Sequence, residues 1–305
     1  MMTIPGLHHV TAIAGPPQPN VGFYTRMLGQ RLVKRTVNFD EPGTYHLYYG
    51  DYAGAPGTIM TFFPFLDAAP GRAGPGMAAA VAYAASPAAF DALMARLALD
   101  AVDFDGPVER FGQRLITLRD PDGLAVEIVA HEGASGDPLG GFHGVTLWLA
   151  DPEPTARLLT DHFGYAQAGE ETEGAATRLR LVAPGGERGA VLDLKRDSAP
   201  SIGRQGAGTI HHIAFRARDD AEQRAWRERL LAAGFDVTPV IDRQYFNAIY
   251  FREPGGVLFE IATDPPGFAI DEPVERLGSS LKLPPRYEPM RERIERTLPP
   301  LQVPG

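Results

Sequence analysis

Two pairs of adjacent histidines stand in nearly identical phrases, one near each end of the 305-residue chain. The first phrase is GLHHVTAIA, which begins at Gly6, and the second is TIHHIAFRA, which begins at Thr209. Imidazole is a common ligand of divalent metals, and two imidazoles with one carboxylate bind a metal while leaving positions open. The pairs therefore predict a metal site if a carboxylate lies on the same surface.

Strand alternation indicates which histidine of each pair faces such a site, because adjacent strand residues point to opposite faces. Ile213 and Phe215 form an apolar face that favours burial against a helix, which leaves His212 on the concave face. His9 takes the same face by its equivalence to His212 in the repeated phrase. In the later segment VLFEIA, the apolar alternation turns Glu260 to that face as well.

Two imidazoles and one carboxylate on separate strands form a facial set of metal ligands. We predict that His9, His212 and Glu260 bind one divalent metal and leave the opposite side open. Open positions let a substrate meet O2 or water at the metal. The alternation places His8 and His211 outward or beside the site, so they reach a substrate only if the strand twists or lies at the rim.

These strands belong to a unit that the chain repeats. LHHVTAIA, FHGVTLWLA and IHHIAFRA align without gaps, and MAAAVAYAA is a weaker fourth copy. Each copy is followed by a helical segment and then by shorter β-like segments between Gly- and Pro-rich turns. The repeat predicts four βαβββ modules, each one supersecondary unit.

The modules predict an α+β fold in which four βαβββ modules are paired into two domains with cupped mixed β-sheets and helices on the outside. We expect an N-terminal domain of modules one and two at residues 1–135 and a C-terminal domain of modules three and four at residues 140–264. A linker at 131–141 separates them, and a Pro-rich tail with a short helix follows at 265–305.

The other two copies provide an internal comparison for the metal site. Glu127 occupies the position of Glu260, but Gly144 stands where His212 stands, and the second module offers only alanines. We therefore expect one metal site, built by modules one and four, and we expect Glu127 to pair with an arginine or with backbone. The histidines without a counterpart in a ligand position are predicted to be surface or packing residues: His46, His131, His162.

Composition argues against several classes of function. The formal charge is −9 and no basic tract is present, so we expect no nucleic-acid partner. No apolar run approaches the roughly 20 residues that span a bilayer, and the N-terminus lacks a secretory pattern, so we expect a cytoplasmic protein. With no cysteine there is no disulfide or thiolate site. Exposed sheet edges in paired modules would allow a homo-oligomer.

The chain resembles the vicinal oxygen chelate superfamily, which pairs βαβββ modules into metal-bearing cups. Within it, the sequence is most similar to hydroquinone-type (2,6-dichlorohydroquinone-like) ring-cleaving dioxygenases. The resemblance covers nearly the whole chain and is carried by five segments: GLHHVTAIAG, GFHGVTL, TIHHIAF, DRQYFNAIYFREPGGVLFEIATDPPGF and LPPRYEPMRERIERTLPPL.

The resemblance implies that His9, His212 and Glu260 bind Fe(II), although the ligand set suits Mn(II) as well. It implies a hydroquinone or related dihydroxy-aromatic substrate, with or without chlorine, whose ring opens as O2 is inserted. It also implies that five neighbouring residues take part in catalysis: His211, His8, Tyr250, Arg243 and Thr11. The histidines and the tyrosine suit proton transfer, and the arginine suits a phenolate, although Tyr and Arg often only pair with neighbours.

Two other functions fit the same fold. A metal-dependent isomerase or lyase of the glyoxalase type generally needs a second carboxylate among its ligands, and the inward positions supply one. A metal-free protein that sequesters drugs would bind its ligand in the cup. A ligand set that is retained beside a lost counterpart argues against that alternative.

Overall fold

The computed structural model describes residues 2–134, 139–186, 188–198 and 201–303. The first two modules contain the strands β1 (Leu7–Ala14), β2 (Arg31–Val37), β3 (Tyr45–Gly50), β4 (Ile59–Pro64), β5 (Met77–Ala85), β6 (Asp105–Arg110), β7 (Gln113–Arg119) and β8 (Ala125–Ala130). The last two contain β9 (Phe142–Trp148), β10 (Ala166–Glu173), β11 (Ala176–Val182), β12 (Val191–Asp197), β13 (Thr209–Ala217), β14 (Ile241–Asp242), β15 (Phe246–Arg252) and β16 (Leu258–Pro266).

Helical segments follow the first strand of every module. They are α1 (Pro17–Val21) with a π-helix at Gly22–Met27, α2 (Pro87–Leu99), α3 (Glu153–Arg157) with a π-helix at Leu158–Phe163, and α4 (Asp220–Ala232). The tail adds α5 (Arg291–Thr297) and three 3-10 turns at Phe268–Ile270, Val274–Arg276 and Glu288–Met290. None of the helices in these parts of the chain combines the length and apolar character needed to cross a membrane.

The strands form two mixed sheets of eight, which confirms the predicted α+β architecture of four βαβββ modules in two cups. One sheet has the order β14-β15-β16-β13-β1-β4-β3-β2 and joins module four to module one. The other has the order β10-β11-β12-β9-β5-β8-β7-β6 and joins module three to module two. At the centre of each, the first strands of two modules pair antiparallel.

Each sheet therefore takes one module from each half of the sequence. The division into 1–135, 140–264 and 265–305 stays a prediction about sequence units, and strand pairing joins modules across it. Part of the predicted linker, residues 135–138, lies outside the described residues.

The apolar face of β13 is covered by helices, as the alternation predicts. The Phe163 ring lies 5.0 Å from the Phe215 ring and 5.3 Å from the Trp226 ring of α4, measured between centroids. Trp226 and Phe215 have no exposed surface. Burial of this aromatic cluster fixes the outer face of the sheet and leaves the other face for the cup.

A buried carboxylate shapes the turn that leads into β16. Glu253 is 2% exposed, and its carboxylate accepts hydrogen bonds from the backbone N–H groups of Gly255 and Val257, both at 2.8 Å. Asp120 plays the same part before β8, where it accepts from the N–H groups of Asp122 and Leu124. These side chains satisfy the backbone donors of the turn, so the closing strand of each module starts at a defined residue.

The C-terminal tail covers β2, which is an edge strand. The ammonium of Lys34 in β2 has no exposed surface and lies 2.6 Å from a carboxylate oxygen of both Asp271 and Glu272. Further along the tail, Arg35 forms a β-bridge with Leu281. The tail thus occupies backbone groups that an open edge would expose to another chain.

Replacing Lys34 by Met should lower the free energy of unfolding by about 3–5 kcal/mol, because it leaves the carboxylate of Glu272, only 4% exposed, without its cation. Burial alone would raise the pKa of Glu272, but hydrogen bonds from Lys34 and Ser280 hold it below its usual value of 4.5. The stabilisation that Glu272 provides is therefore complete above pH 4.5 and is lost as the pH falls through its lower pKa in the folded protein.

Urea unfolding at pH 7 and at pH values below 4.5 measures both effects. The free energy of unfolding of the wild type should fall on acidification. That of Lys34→Met should fall less, because the variant lacks the ion pair between Lys34 and Glu272. Arg293→Met, on the exposed face of α5, should change stability by less than about 0.5 kcal/mol. Equal effects of the two substitutions would show that the Lys34 cluster does not hold the tail.

Candidate metal centre

The three predicted ligands converge at the centre of the sheet that joins modules four and one. The Nε2 atom of His212 lies 2.9 Å from Oε2 of Glu260 and 3.4 Å from Nε2 of His9. His9 Nε2 lies 3.4 Å from the same carboxylate oxygen. His9, His212 and Glu260 are 2%, 5% and 0% exposed. Among the described residues they alone form a group of three or more metal-ligating side chains with atoms within 4.8 Å.

The electrostatics of the group fit a divalent cation. No N–H or O–H of the described residues makes a well-aligned hydrogen bond to either oxygen of Glu260, although the carboxylate is fully buried. Burial opposes its ionisation, but His9 and His212 lower its pKa, so it stays charged. Burial lowers the pKa of His212 and Glu260 opposes that shift, so the imidazole gives up its proton more readily than a free histidine. A charged carboxylate beside neutral imidazole is the protonation state that binds a metal.

The first histidine of each pair contacts the ligand histidine that follows it in the sequence. Nδ1 of His8 lies 2.9 Å from Nδ1 of His9, and Nδ1 of His211 lies 2.7 Å from Nδ1 of His212. When Nε2 of a ligand histidine binds the metal, its hydrogen sits on Nδ1 and is donated to the neighbour. His8 and His211 then accept on Nδ1 and carry their own hydrogen on Nε2.

Two β-bulges allow these contacts between adjacent residues. The β1–β13 register passes from Leu7↔Phe215 to His9↔Ala214, so His8 is an extra residue on β1. Nearer the other end it passes from Thr11↔His212 to Ala12↔Ile210, so His211 is an extra residue on β13. A bulge interrupts alternation and re-aims side chains. His211 therefore lines the cup at an exposed position, which simple alternation did not predict.

A cavity of about 320 Å³ opens beside the three ligands. Its apolar wall is mainly aromatic and is formed by Phe39, Phe63, Phe65 and Phe246. The remaining predicted site residues that line it are Thr11, His211, Arg243 and Tyr250. His8 is not among the lining residues; it is 2% exposed and lies behind His9. None of the described tail residues lines the cavity, but Arg286 and Tyr287 both donate to the carbonyl oxygen of Phe39.

Arg243 connects two sides of the cavity. Its Nε donates to the Tyr250 hydroxyl at 3.2 Å, and its Nη1 lies 3.1 Å from a carboxylate oxygen of Asp40. Burial, reinforced by the nearby Glu260, raises the pKa of Tyr250 well above 10, so its phenol stays protonated. The pair presents a cation and a hydroxyl to the cavity beside the metal ligands.

Sequence reasoning missed part of the wall. His46, predicted to be a surface or packing residue, is 9% exposed and lines the cavity together with Tyr48, two residues further along β3. Asn38 and Asp40 also line it. The alternation of His46 and Tyr48 in YHLYYG is a local signal, but no repeat copy carries it.

Register comparison identifies four equivalent positions for an acidic ligand. Glu260 in β16 pairs with Ala214, two residues after His212. Thr61 in β4 pairs with Thr11, two residues after His9. In the other sheet the equivalents are Glu127 and Asp193. We call the sheet that carries His9, His212 and Glu260 the metal cup, and the sheet that carries Glu127 and Asp193 the second cup. The metal cup therefore has one carboxylate and one threonine at these positions.

The second cup keeps its two carboxylates but pairs each with an arginine. Glu127 lies 2.8 Å from Nη1 of Arg110, which confirms the expected arginine partner. Asp193 binds Arg180 through both of its oxygens at 2.8 Å. The two pairs neutralise the charge that a metal would otherwise balance.

Gly144, at the position of His212, is confined by backbone. A Cβ added there would lie 2.0 Å from the carbonyl oxygen of Val191 in β12, the neighbouring strand. The second cup has thus lost more than a ligand side chain, because its strands have closed over the place where one would begin.

The sequence pattern of the Glyoxalase/Bleomycin resistance protein/Dioxygenase superfamily matches residues 6–128 and 141–261. The chain is 46% identical over 309 residues to a protein of Bacillus subtilis (strain 168) that is named as ring-cleaving dioxygenase MhqO, covering 98% of this chain and 97% of that protein. It is 33% identical over 320 residues to the chlorohydroquinone/hydroquinone 1,2-dioxygenase of Sphingobium indicum, covering 98% of each.

Solved structures show the same fold. A protein from Bacillus subtilis subsp. subtilis str. 168 that is named as a dioxygenase matches with a TM-score of 0.92 and 45% identity, and the match covers 100% of both chains. Glyoxalase I from Zea mays matches with a TM-score of 0.64 and 14% identity, covering 85% of this chain and 92% of that one. The second likeness concerns the fold alone.

Substituting His212 by Ala should abolish tight metal binding, because it removes one of three ligands and leaves Glu260 partly uncompensated. The measurement is calorimetric titration of metal-free protein with Fe(II) under argon, repeated with Mn(II). We expect one ion per chain for the wild type. His143→Ala, in the third module, is the matched control and should bind as the wild type does. Equal loss in both variants would place the site elsewhere.

Substituting Gly144 by His should not create a second metal site. The new Cβ would overlap the Val191 carbonyl, so β9 and β12 must separate, at a cost of about 3 kcal/mol. Gly43→Ala is the control, since its Cβ would meet only a methyl group of Thr297 at 3.6 Å. A stable Gly144→His protein with two bound ions would contradict this account of the second cup.

Proposed function

The chain belongs to the glyoxalase/bleomycin resistance protein/dioxygenase superfamily, and we propose that it is an Fe(II)-dependent dioxygenase that opens the ring of a hydroquinone. Its relatives at 36–46% identity over their full length are named ring-cleaving dioxygenases, and this chain is an enzyme of that type. The proposal concerns the metal and the substrate.

The observation that carries the proposal is the ligand set of His9, His212 and a single carboxylate, Glu260. The position equivalent to that carboxylate in module one is Thr61, whose hydroxyl is held by His46 and Thr11. Three protein ligands on one side suit a non-haem Fe(II) that takes both an organic substrate and O2. An isomerase of the glyoxalase type would need a further carboxylate, and the cup supplies none at that position.

Fe(II) bound here would favour the ionised form of a phenol and would supply the redox chemistry that joins the ring to O2. Both oxygen atoms would enter the product. For unsubstituted hydroquinone, cleavage between a hydroxylated carbon and its neighbour gives one carboxyl group and one aldehyde, so all atoms of the ring and of O2 are retained.

The cavity supports a single-ring substrate. Its volume of about 320 Å³ is near the lower end for small-molecule sites, and its phenylalanine wall packs against an aromatic ring. Arg243 and Tyr250 can bind an ionised oxygen through a charge-assisted contact and a hydrogen bond. The hydroquinone substrate of the Sphingobium relative has this chemistry.

His211 is assigned the part of a hydrogen-bond donor to the substrate. Because its Nδ1 accepts from His212, its Nε2 carries hydrogen and lies at the exposed, cavity-facing position. A donor there stabilises negative charge that develops on a substrate oxygen. His8, which lies behind His9, is assigned the orientation of that ligand instead.

Oxygen uptake by protein loaded anaerobically with Fe(II) tests the proposal. With hydroquinone or chlorohydroquinone, the wild type should consume one O2 per substrate, and label from 18O2 should appear in the ring-opened product. Glu260→Gln should lose this activity, and Glu127→Gln in the second cup should keep it. Metal-free and Mn(II)-loaded protein should be measured beside them.

The outcomes separate the alternatives. Turnover of a glutathione hemithioacetal without O2 would favour the isomerase. Tight binding of aromatic compounds by the metal-free protein, with no turnover after Fe(II) loading, would favour a sequestering protein. Absence of substrate-dependent O2 uptake on every hydroquinone would overturn the dioxygenase proposal.

A further inference from the structure

A continuous chain of hydrogen bonds runs through the wall of the metal cavity. The Tyr48 hydroxyl lies 2.8 Å from Nδ1 of His46, and Nε2 of His46 lies 2.8 Å from Oγ1 of Thr61. The Thr61 hydroxyl lies 2.9 Å from the Thr11 hydroxyl. All four side chains are buried, and Thr11 and Tyr48, the two ends, both line the cavity.

Every group in this chain both donates and accepts. A threonine or tyrosine hydroxyl has one hydrogen and free lone pairs, and a neutral imidazole has one N–H and one bare nitrogen. Burial, with the nearby His9 and His212, lowers the pKa of His46 well below 6.5, so it is neutral. The chain can therefore be polarised in two directions that differ only in which nitrogen of His46 carries hydrogen.

The two directions present different groups to a substrate. In one, Tyr48 donates to His46, His46 donates to Thr61, and Thr61 donates to Thr11, whose hydrogen then faces the cavity. In the other, Thr11 donates to Thr61, Thr61 donates to His46, and His46 donates to Tyr48. Thr11 can then accept a hydrogen bond from a group in the cavity, and the hydrogen of Tyr48 is free to face the cavity. Reversal moves one proton from one end to the other and leaves every group neutral.

We propose that His46 is a positioning residue for catalysis, and that with Tyr48, Thr61 and Thr11 it forms a proton relay between two points on the cavity wall. When a substrate hydroxyl gives a proton to Thr11, the hydrogen of Thr11 passes to Thr61, that of Thr61 to Nε2 of His46, and that of His46 Nδ1 to Tyr48. The proton that leaves Tyr48 passes to water in the cavity and so to solvent, and no oxidant or reductant is needed. The relay rests on the proposed function, because a hydroquinone must lose a proton as it binds.

Two of the polar groups beside the ligands are poor acceptors for that proton. His211 carries hydrogen on the nitrogen that faces the cavity, and Tyr250 keeps its phenolic hydrogen while it accepts from Arg243. Thr61 stands at the repeat position of the ligand Glu260, so a hydroxyl that passes a proton occupies the place of a metal-binding carboxylate. The second cup has no such chain there, since arginines hold its two carboxylates.

Substitutions along the relay test it by kinetics. His46→Gln keeps an amide donor for Thr61 but cannot exchange tautomers, and Thr61→Val breaks the chain with little change of volume. Both should lower kcat about 10- to 100-fold, with KM changed less than about threefold. Thr146→Val, a buried threonine of the second cup, is the matched control and should keep kcat. In His46→Ala, added imidazole should restore part of the lost kcat.

The histidine tautomer provides a readout that needs no turnover. In protein with 15N-labelled histidine and Zn(II) as a diamagnetic probe, the nitrogen shifts report where His46 carries hydrogen. Thr61→Val should move it to Nδ1, because only Tyr48 remains as a partner, and Tyr48→Phe should move it to Nε2. The relay predicts that the His46 hydrogen moves to opposite ring nitrogens in these two variants.

The two readouts distinguish failure of the relay from failure of the proposed function. If the wild type consumes O2 with hydroquinone while His46→Gln and Thr61→Val keep kcat within twofold, the relay is overturned and the dioxygenase stands. If the wild type consumes no O2, the proposed function fails, and opposite tautomer displacements would still support the hydrogen-bond relay. Unchanged tautomers in both folded variants would overturn it.

Discussion

Glu260 is a charged carboxylate with no exposed surface, and an ion of this kind is costly in a protein unless a cation lies against it. The arrangement of the central strands follows from that constraint. Antiparallel pairing of β1 with β13 brings His9 to His212, and parallel pairing of β13 with β16 brings Glu260 to both. The helices on the convex face hold these strands by burying their aromatic side, so the concave side is free to bind a cation.

The two histidines of each adjacent pair have different roles in the site. One member of each pair points Nε2 at the centre, and the other accepts the hydrogen of its Nδ1. Without the bulges at His8 and His211, alternation would turn the partners to the opposite face of the sheet. The bulges also make the two partners unequal, since His8 is buried behind its ligand and His211 reaches the cavity.

The two sheets show how one architecture is given different chemistry. Strand order, central pairing and bulge positions are equivalent in both, yet carboxylates in the second cup are neutralised by Arg110 and Arg180. Backbone of β12 fills the space beside Gly144, so that cup cannot regain its histidine by a single substitution. In the cup of His9, His212 and Glu260 the fourth position is held by Thr61, which brings no second carboxylate and links His46 to Thr11.

The sequence by itself determined the four modules and the apolar faces of their strands, and it predicted the ligand set and the loss of its counterpart. These properties depend on local periodicity and on comparison between copies of one unit. The tertiary structure decided that module four pairs with module one, that bulges re-aim His8 and His211, and that His46 on β3 belongs to the cavity. Such features arise from hydrogen bonding between strands far apart in the chain, and residue spacing along one strand carries no record of its neighbour.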